Sequence, residues 1–272
     1  MVIRDMILKL EESGYSKQDA RARVCQDIVL KAISKSAFSN NVTIKGGVLM
    51  RELTKNSRRA TQDIDIDFIR YSLSDQAIDL FLQKLNVFPD ITIERISQIL
   101  ELNQQDYKGK SVKILVTDSE NTSVQSKMDF GVHKHLRIDQ EEYCFEIVSD
   151  NKGISLLANS KEQMFAEKIR SLLKFGTFST RYKDIFDMYF LCDKVDKNKL
   201  NDCLAQFVYN DKNMRENSII EVVQRIQKIF ENKQYCDRVD RSDKRWLDES
   251  IDEIMKKILD FLFIMQNTFI NA

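Results

Sequence analysis

One proline and seven glycines are spread over 272 residues. So few of either excludes long Pro-rich or Gly/Ser linkers and points to a chain rich in helix. Cysteine is sparse and unpatterned: Cys25, Cys144, Cys192, Cys203 and Cys236 contain no C-x-x-C pair. An odd, scattered set argues against a disulfide frame or a thiolate zinc site and fits reduced thiols. Histidine is limited to His133 and His135, which read as surface groups near a strand end. No apolar run approaches the roughly 20 residues of a membrane helix; the longest is Phe261–Met265. Met1–Leu10 carries Arg4, Asp5 and Lys9, so it is not a signal-peptide core. A soluble cytoplasmic protein is expected. Net charge is also absent, with 42 Lys plus Arg against 42 Asp plus Glu. That excludes a generally basic nucleic-acid coat and leaves room only for a local patch.

With 43% hydrophobic residues, the chain can bury a core as one large domain or two small ones. Ile3, Met6, Ile7 and Leu10 have helical spacing, and Ser16 with Asp19 caps a longer helix to about Phe38. Val42–Ile44 is a short strand, Val48–Leu53 opens a helix, and Asp63–Ile69 is a strand. Ser74–Leu85 is a helix and Ile91–Leu102 a single strand, followed by a polar loop over 103–111. Val112–Val116 and Val124–Phe130 form a hairpin, and Tyr143–Val148 a further strand. From Ser160 the pattern is helical, at about 161–174, 181–192, 198–209, 214–231 and 248–268. The expected class is α+β, with an N-terminal α/β domain carrying a mixed sheet over residues 1–155 and a helical bundle over 156–272.

The most informative stretch is Ile44–Phe68. Gly46 and Gly47 follow a short strand, so backbone there can approach a ligand with no Cβ in the way. The basic loop Lys55–Ala60 leads to a strand with Asp63, Asp65 and Asp67 on one face and Ile64, Ile66 and Phe68 on the other. Aspartate is a poor strand former, so three of them in one strand need a reason. Two carboxylates two residues apart on a rigid strand can hold Mg²⁺, whose shell is completed by water and substrate phosphates. The bland alternative is an edge strand made soluble by its acids.

Asp129 lies on the polar face of the strand Val124–Phe130 and reads either as solvent-facing or as the third carboxylate of a two-metal phosphoryl-transfer site. Lys168 falls inside the apolar stripe Met164, Phe165, Ile169, Leu172, Leu173 and must snorkel or meet an anion. Arg181 with Asp184, and Lys183 with Asp187, read as exposed helical salt bridges. Tyr182, Phe186, Tyr189 and Trp246 read as packing residues.

Together these pieces resemble the AbiEii-type nucleotidyltransferases, a toxin family of bacterial abortive-infection and toxin–antitoxin systems within the DNA polymerase β-like superfamily. Gly46-Gly47 is similar to the superfamily turn, Asp63-Ile64-Asp65 to its Asp-x-Asp, and Arg59-Ala60-Thr61 to the family's Arg-x-Ser/Thr prefix. Asp129 is similar to the third strand acid, Ala166-Glu167-Lys168 to a helical motif, and Arg181 through Asp187 to a later Arg-x-Lys-Asp-x-x-Asp motif. The likeness runs in order from about residue 40 to 192. Where the family usually has a third-position threonine in the turn, this chain has Val48, so nucleotide would be held there through backbone N–H groups.

The resemblance implies a two-domain nucleotidyltransferase with Mg²⁺ as cofactor and NTP as substrate. Asp63, Asp65 and Asp129 would hold metal, and Gly46, Gly47, Arg59, Thr61 and Lys168 would meet nucleotide. Lys168 and Asp184 would join the three acids in catalysis. It implies an RNA acceptor, tRNA 3′ ends in particular, a cognate antitoxin and no membrane. Arg58, Arg59, Lys108, Lys110, Lys134 and Arg137 are the expected local basic surface. Two rivals stand beside this expectation: AMP transfer to a protein hydroxyl, and a non-catalytic nucleotide-binding sensor or scaffold.

Overall fold

The computed structural model describes residues 1–102, 109–135 and 137–270. The chain divides into two compact units, Met1–Asn159 and Ser160–Ala272.

The first unit runs α1 (Ile3–Glu12), α2 (Lys17–Lys35), β1 (Val42–Lys45), α3 (Gly46–Thr54), β2 (Asp63–Phe68), α4 (Asp75–Lys84), β3 (Ile91–Arg95), β4 (Leu100–Leu102), β5 (Gly109–Asp118), β6 (Ser123–Val132), β7 (Glu141–Ile147) and β8 (Asp150–Ala158). The strands form one mixed sheet in the order β3-β5-β6-β2-β1-β8-β7, with β4 also on β5. β2 lies antiparallel to β1 and parallel to β6, so the acid-bearing strand is central. Its Ile64, Ile66 and Phe68 are fully buried. Phe68, Phe130 of β6 and Phe81 of α4 meet at ring distances of 5.3–5.9 Å and anchor α4 to that face. α2 packs on β6 and β8 through Val24, Cys25, Ile28, Val29 and Ile33, all fully buried. It also buries Gln26 and Asp27 completely, polar groups that an apolar-stripe reading misses.

Several boundaries differ from the sequence expectation. α2 stops at Lys35 instead of Phe38, because the Ser36 hydroxyl turns back to the Ile33 carbonyl at 2.9 Å. The two glycines form the first turn of α3 and do not precede it. The expected strand Ile91–Leu102 is two strands on β5, broken between Arg95 and Leu100. The hairpin is longer, and β8 was not anticipated. β8 carries Asp150, Asn151, Lys152 and Gly153 in its first half, which hide its alternation. Residue 155 lies inside it. The polar loop over 103–111 falls largely outside the described residues. His133 is buried, not on the surface, with its Nε2 3.2 Å from the Ile138 carbonyl.

The second unit is helical: α5 (Lys161–Phe175), α6 (Tyr182–Leu191), α7 (Lys197–Leu204) continued by a π turn to Tyr209, α8 (Ile219–Phe230), α9 (Lys233–Asp240) and α10 (Ile251–Ile270). Ser160 caps α5 by accepting the Gln163 N–H at 3.1 Å. The unanticipated α9 buries only Tyr235 and Val239, too few for a periodic signal. Among the described residues no helix is long and apolar enough to cross a membrane.

The ring cluster gives a stability test. Phe81→Ala should cost about 3–5 kcal/mol in urea unfolding, because Phe81 is fully buried among three other rings within 6 Å.

Candidate active site

β1 leads directly into α3 with Gly46 at φ +62°. A Cβ on Gly46 would stand 2.2 Å from the Asp65 carboxylate, and one on Gly47 would stand 2.3 Å from the Thr61 hydroxyl. A side chain at either position would force the facing Asp65 or Thr61 to move, so both glycines match what faces them. The Gly47 N–H points to Asp65 Oδ2 at 3.4 Å. A carboxylate therefore sits at the positive N-terminus of α3.

Strand pairing sets the rest. Asp65 lies directly opposite Asp129 across the β2–β6 pair, and Asp63 opposite Lys127. Lys127 and Asp129 are two residues apart and share a face. The Lys127 ammonium sits 3.1 Å from Asp63 Oδ2 and 3.0 Å from Asp129 Oδ2. The other Asp129 oxygen accepts the Ser111 hydroxyl at 2.7 Å. Burial pushes the Asp65 carboxyl above its ordinary 3.8; Lys45 opposes this, and the facing Asp129 adds to the rise. Lys127 is held above its ordinary 10.5, since its bonds to Asp129 and Asp63 outweigh its partial burial. Asp67, at the far end of the acid row, is committed to Lys45 at 2.6 Å.

Among the described residues, no three His, Cys, Asp or Glu side chains converge as they stand on a point for a metal ion. The donors nevertheless fit a hard divalent cation: three carboxylates on one face, two of them already sharing a cation. The Lys127 ammonium neutralises part of their charge. The sequence reading missed Lys127 and Ser111. Lys127 was visible in the same alternation that placed Asp129, two positions earlier on the strand.

Thr61 is held from behind. The Gln26 side-chain amide donates to the Thr61 carbonyl at 2.8 Å. Arg51 donates in turn to Gln26, to Asp27 at 3.2 Å and to Glu52 at 3.0 Å, all buried. Burial raises the Asp27 carboxyl despite Arg51 and Arg23. At Glu52 burial is overcome by Arg51 and Lys55, and its carboxyl is lowered. Arg59 itself is 3% exposed, so it is no part of a basic surface. Lys110 is engaged with Asp75, and with Glu101 at 3.4 Å. Arg58, Lys134 and Arg137 are exposed, and Lys108 lies outside the described residues.

The second unit brings Lys168 and Asp184 together. The buried Lys168 ammonium donates to Asp184 at 2.9 Å and Asp187 at 2.7 Å. Arg181 reaches the other Asp184 oxygen at 2.8 Å, and the Trp246 indole N–H reaches Asp187 at 3.2 Å. Lys168 thus meets anions and does not snorkel. Asp187 is fully buried and not part of an exposed helical pair. Lys168 on α5 and Trp246, in the segment before α10, both bond it there. Burial alone would raise the Asp184 carboxyl, but Lys168 and Arg181 hold it below its ordinary 3.8.

A family model described as "Nucleotidyl transferase AbiEii toxin, Type IV TA system" matches residues 28–263. A comparison with curated proteins finds no match. Among solved structures, the chain is similar to an antigenic nucleotidyltransferase-like protein from Paracoccidioides brasiliensis. The identity is 16% and the TM-score 0.48, over 80% of this chain and 91% of that one. A likeness at that level carries no argument about chemistry.

Two measurements probe these clusters. Lys127→Met should tighten Mn²⁺ binding, followed by titration calorimetry, by roughly threefold to tenfold, the scale of two part-exposed ion pairs; unchanged affinity would place the ammonium outside the metal's position. Asp184 has a depressed carboxyl, so its contribution to stability is present above about pH 4 and lost as the pH falls through its folded value. Asp184→Asn should therefore flatten the acid limb of the stability–pH curve measured by chemical denaturation.

Proposed function

The chain belongs to the family of AbiEii nucleotidyl transferase toxins of type IV toxin–antitoxin systems, and from that membership we propose a Mg²⁺-dependent transfer of a nucleotidyl group from an NTP to RNA, tRNA 3′ ends in particular, in the cytoplasm. A toxin of such a system implies an antitoxin partner. Growth arrest through modification of an essential RNA fits abortive infection as a phage defence.

The observation that carries this reading is the face shared by Asp63, Asp65 and Asp129, with an ammonium already bridging two of the three acids. Asp63, Asp65 and Asp129 would hold Mg²⁺, which when bound supplies charge neutralisation and lowers the pKa of an oxygen it binds. Asp129, fixed by Ser111, takes the proton of the acceptor hydroxyl. That oxygen forms a bond to the α-phosphorus, and the bond to pyrophosphate breaks with the electron pair leaving on pyrophosphate. The N–H groups of the Gly46-Gly47 turn meet the triphosphate, as a helix N-terminus meets anions generally, with Thr61 and Arg59 beside them. Lys168 neutralises developing phosphate charge, the electrostatic part of such catalysis. Asp184 orients that lysine, to which it is bonded at 2.9 Å.

The deciding experiment incubates the protein with Mg²⁺, each α-labelled NTP in turn, and total RNA plus protein extract. Label should enter small RNA and fall by at least about a hundredfold in Asp63→Ala/Asp65→Ala, the scale of losing a central electrostatic group. Label in protein would replace RNA by a protein hydroxyl as acceptor. Nucleotide binding with no transfer above the variant would leave a sensor or scaffold.

A further inference from the structure

We propose, building on the RNA-acceptor reading above, that the turn between α5 and α6 is a stacking platform for unpaired bases of the RNA. Phe178, on that turn, is 89% exposed, and Phe175, the last residue of α5, is 41% exposed. Single exposed apolar residues are ordinary. Two phenylalanines left in water within a ring of cations are not.

Four elements supply that ring. Lys174, at the end of α5, places its ammonium 5.5 Å from the Phe175 ring centre. Arg238 of α9 donates to the Thr177 carbonyl at 2.6 Å. Arg225 of α8 lies against Gly176, 3.3 Å from where a Cβ there would be. Gly176 has φ +55°, so the tight turn and the arginine both select glycine. Arg181 opens α6 with a side chain 61% exposed and its Nε on Asp184. Arg238 is thus fixed by backbone, and Arg181 by a buried acid, before any ligand arrives, which lowers the entropy lost on binding. The exposed Asp237 adjoins Arg238 in sequence, but successive helical residues do not share a face.

This chemistry selects its partner. Aromatic faces take any unpaired base, and guanidinium and ammonium groups take the phosphates between bases. A duplex keeps its bases stacked on each other and gives the phenylalanines nothing to stack on. The chain has no net charge, so a nucleic-acid contact has to be a local cluster, and the turn is one. Arg181 also bonds Asp184, the partner of Lys168, so one of the four cations belongs to the proposed catalytic lysine's own cluster.

The test is direct binding by the full chain without NTP or divalent metal, read as the anisotropy of a fluorescein-labelled, unstructured oligoribonucleotide. Phe178→Ala should weaken binding by at least about fivefold and Phe178→Trp should retain it, since stacking of one base accounts for that much. Arg225→Gln and Arg238→Gln should each lower the salt slope by about 0.7. A duplex of the same sequence should bind much more weakly. Equal affinity of Phe178→Ala and the parent would overturn the proposal, as would a duplex bound as tightly as the single strand. So would a Phe178→Ala defect confined to antitoxin binding, which would make the turn a protein-docking site. Binding by the parent chain with the expected Phe178→Ala defect, but with no label transferred to RNA by that parent, counts against the catalytic reading alone, and transfer to RNA with no stacking effect counts against the platform alone.

Discussion

The fold turns on one close approach: the Asp65 carboxylate lies where a side chain on Gly46 would have to be. The contact fixes α3 against β2, and the antiparallel β1–β2 pair fixes it again, with Lys45 opposite Asp65. Parallel pairing with β6 then brings Asp129 to the same level. Three acids gathered this way repel one another, and the Asp65 carboxyl is raised by its burial first and by the facing acids second. A structure built for stability alone would disperse them. Here Lys127 and Lys45 compensate the charge locally, and the core beneath, Ile64, Ile66 and Phe68, holds the strand in register. A one-residue slip of β2 would turn every acid into that core.

The buried polar cluster behind Thr61 follows the same logic. Arg51, Asp27, Glu52 and Gln26 are all nearly fully buried, and buried ion pairs give little net stability over an apolar replacement. Their use here is positional. Gln26 reaches the segment before β2 through the Thr61 carbonyl, and Arg51 occupies its other end. The second unit repeats the pattern around Lys168, where two carboxylates and an indole N–H leave the ammonium one location.

How much of this was legible in the sequence depends on the kind of signal. Alternation revealed the acid strand and Asp129, because period two survives any tertiary context. Strand patterns followed by purely helical ones carried the α+β class, and two adjacent glycines after a short apolar strand marked the turn. Alternation could equally have exposed Lys127, but a lysine on a polar face carries no mark of its partners. Gln26 and Arg51 were illegible, since polar residues on a long helix look solvated until another element covers them. Asp187 was misjudged for the same reason: its i, i+4 spacing from Lys183 suggested a surface pair, whereas Lys168 and the distant Trp246 both bond it. β8 was hidden by its polar first half, and α9 by having two buried residues in eight.

The missing turn hydroxyl at Val48 has a physical answer. Val48 is fully buried, in the first turn of α3 but directed to the core. An apolar residue there adds packing and gives up no polar contact. A hydroxyl is nevertheless present at the turn, supplied from the other side: Thr61 Oγ1 lies in the space that a Gly47 side chain would fill. The backbone carbonyl of Thr61 is tied down by Gln26, so its hydroxyl is carried on a fixed support. The turn thus keeps its two N–H groups and one neighbouring hydroxyl, with the hydroxyl moved from the helix to the segment before β2. Any substitution at Thr61 then acts on the turn itself, through the gap left opposite Gly47, and not merely on the loop that carries it.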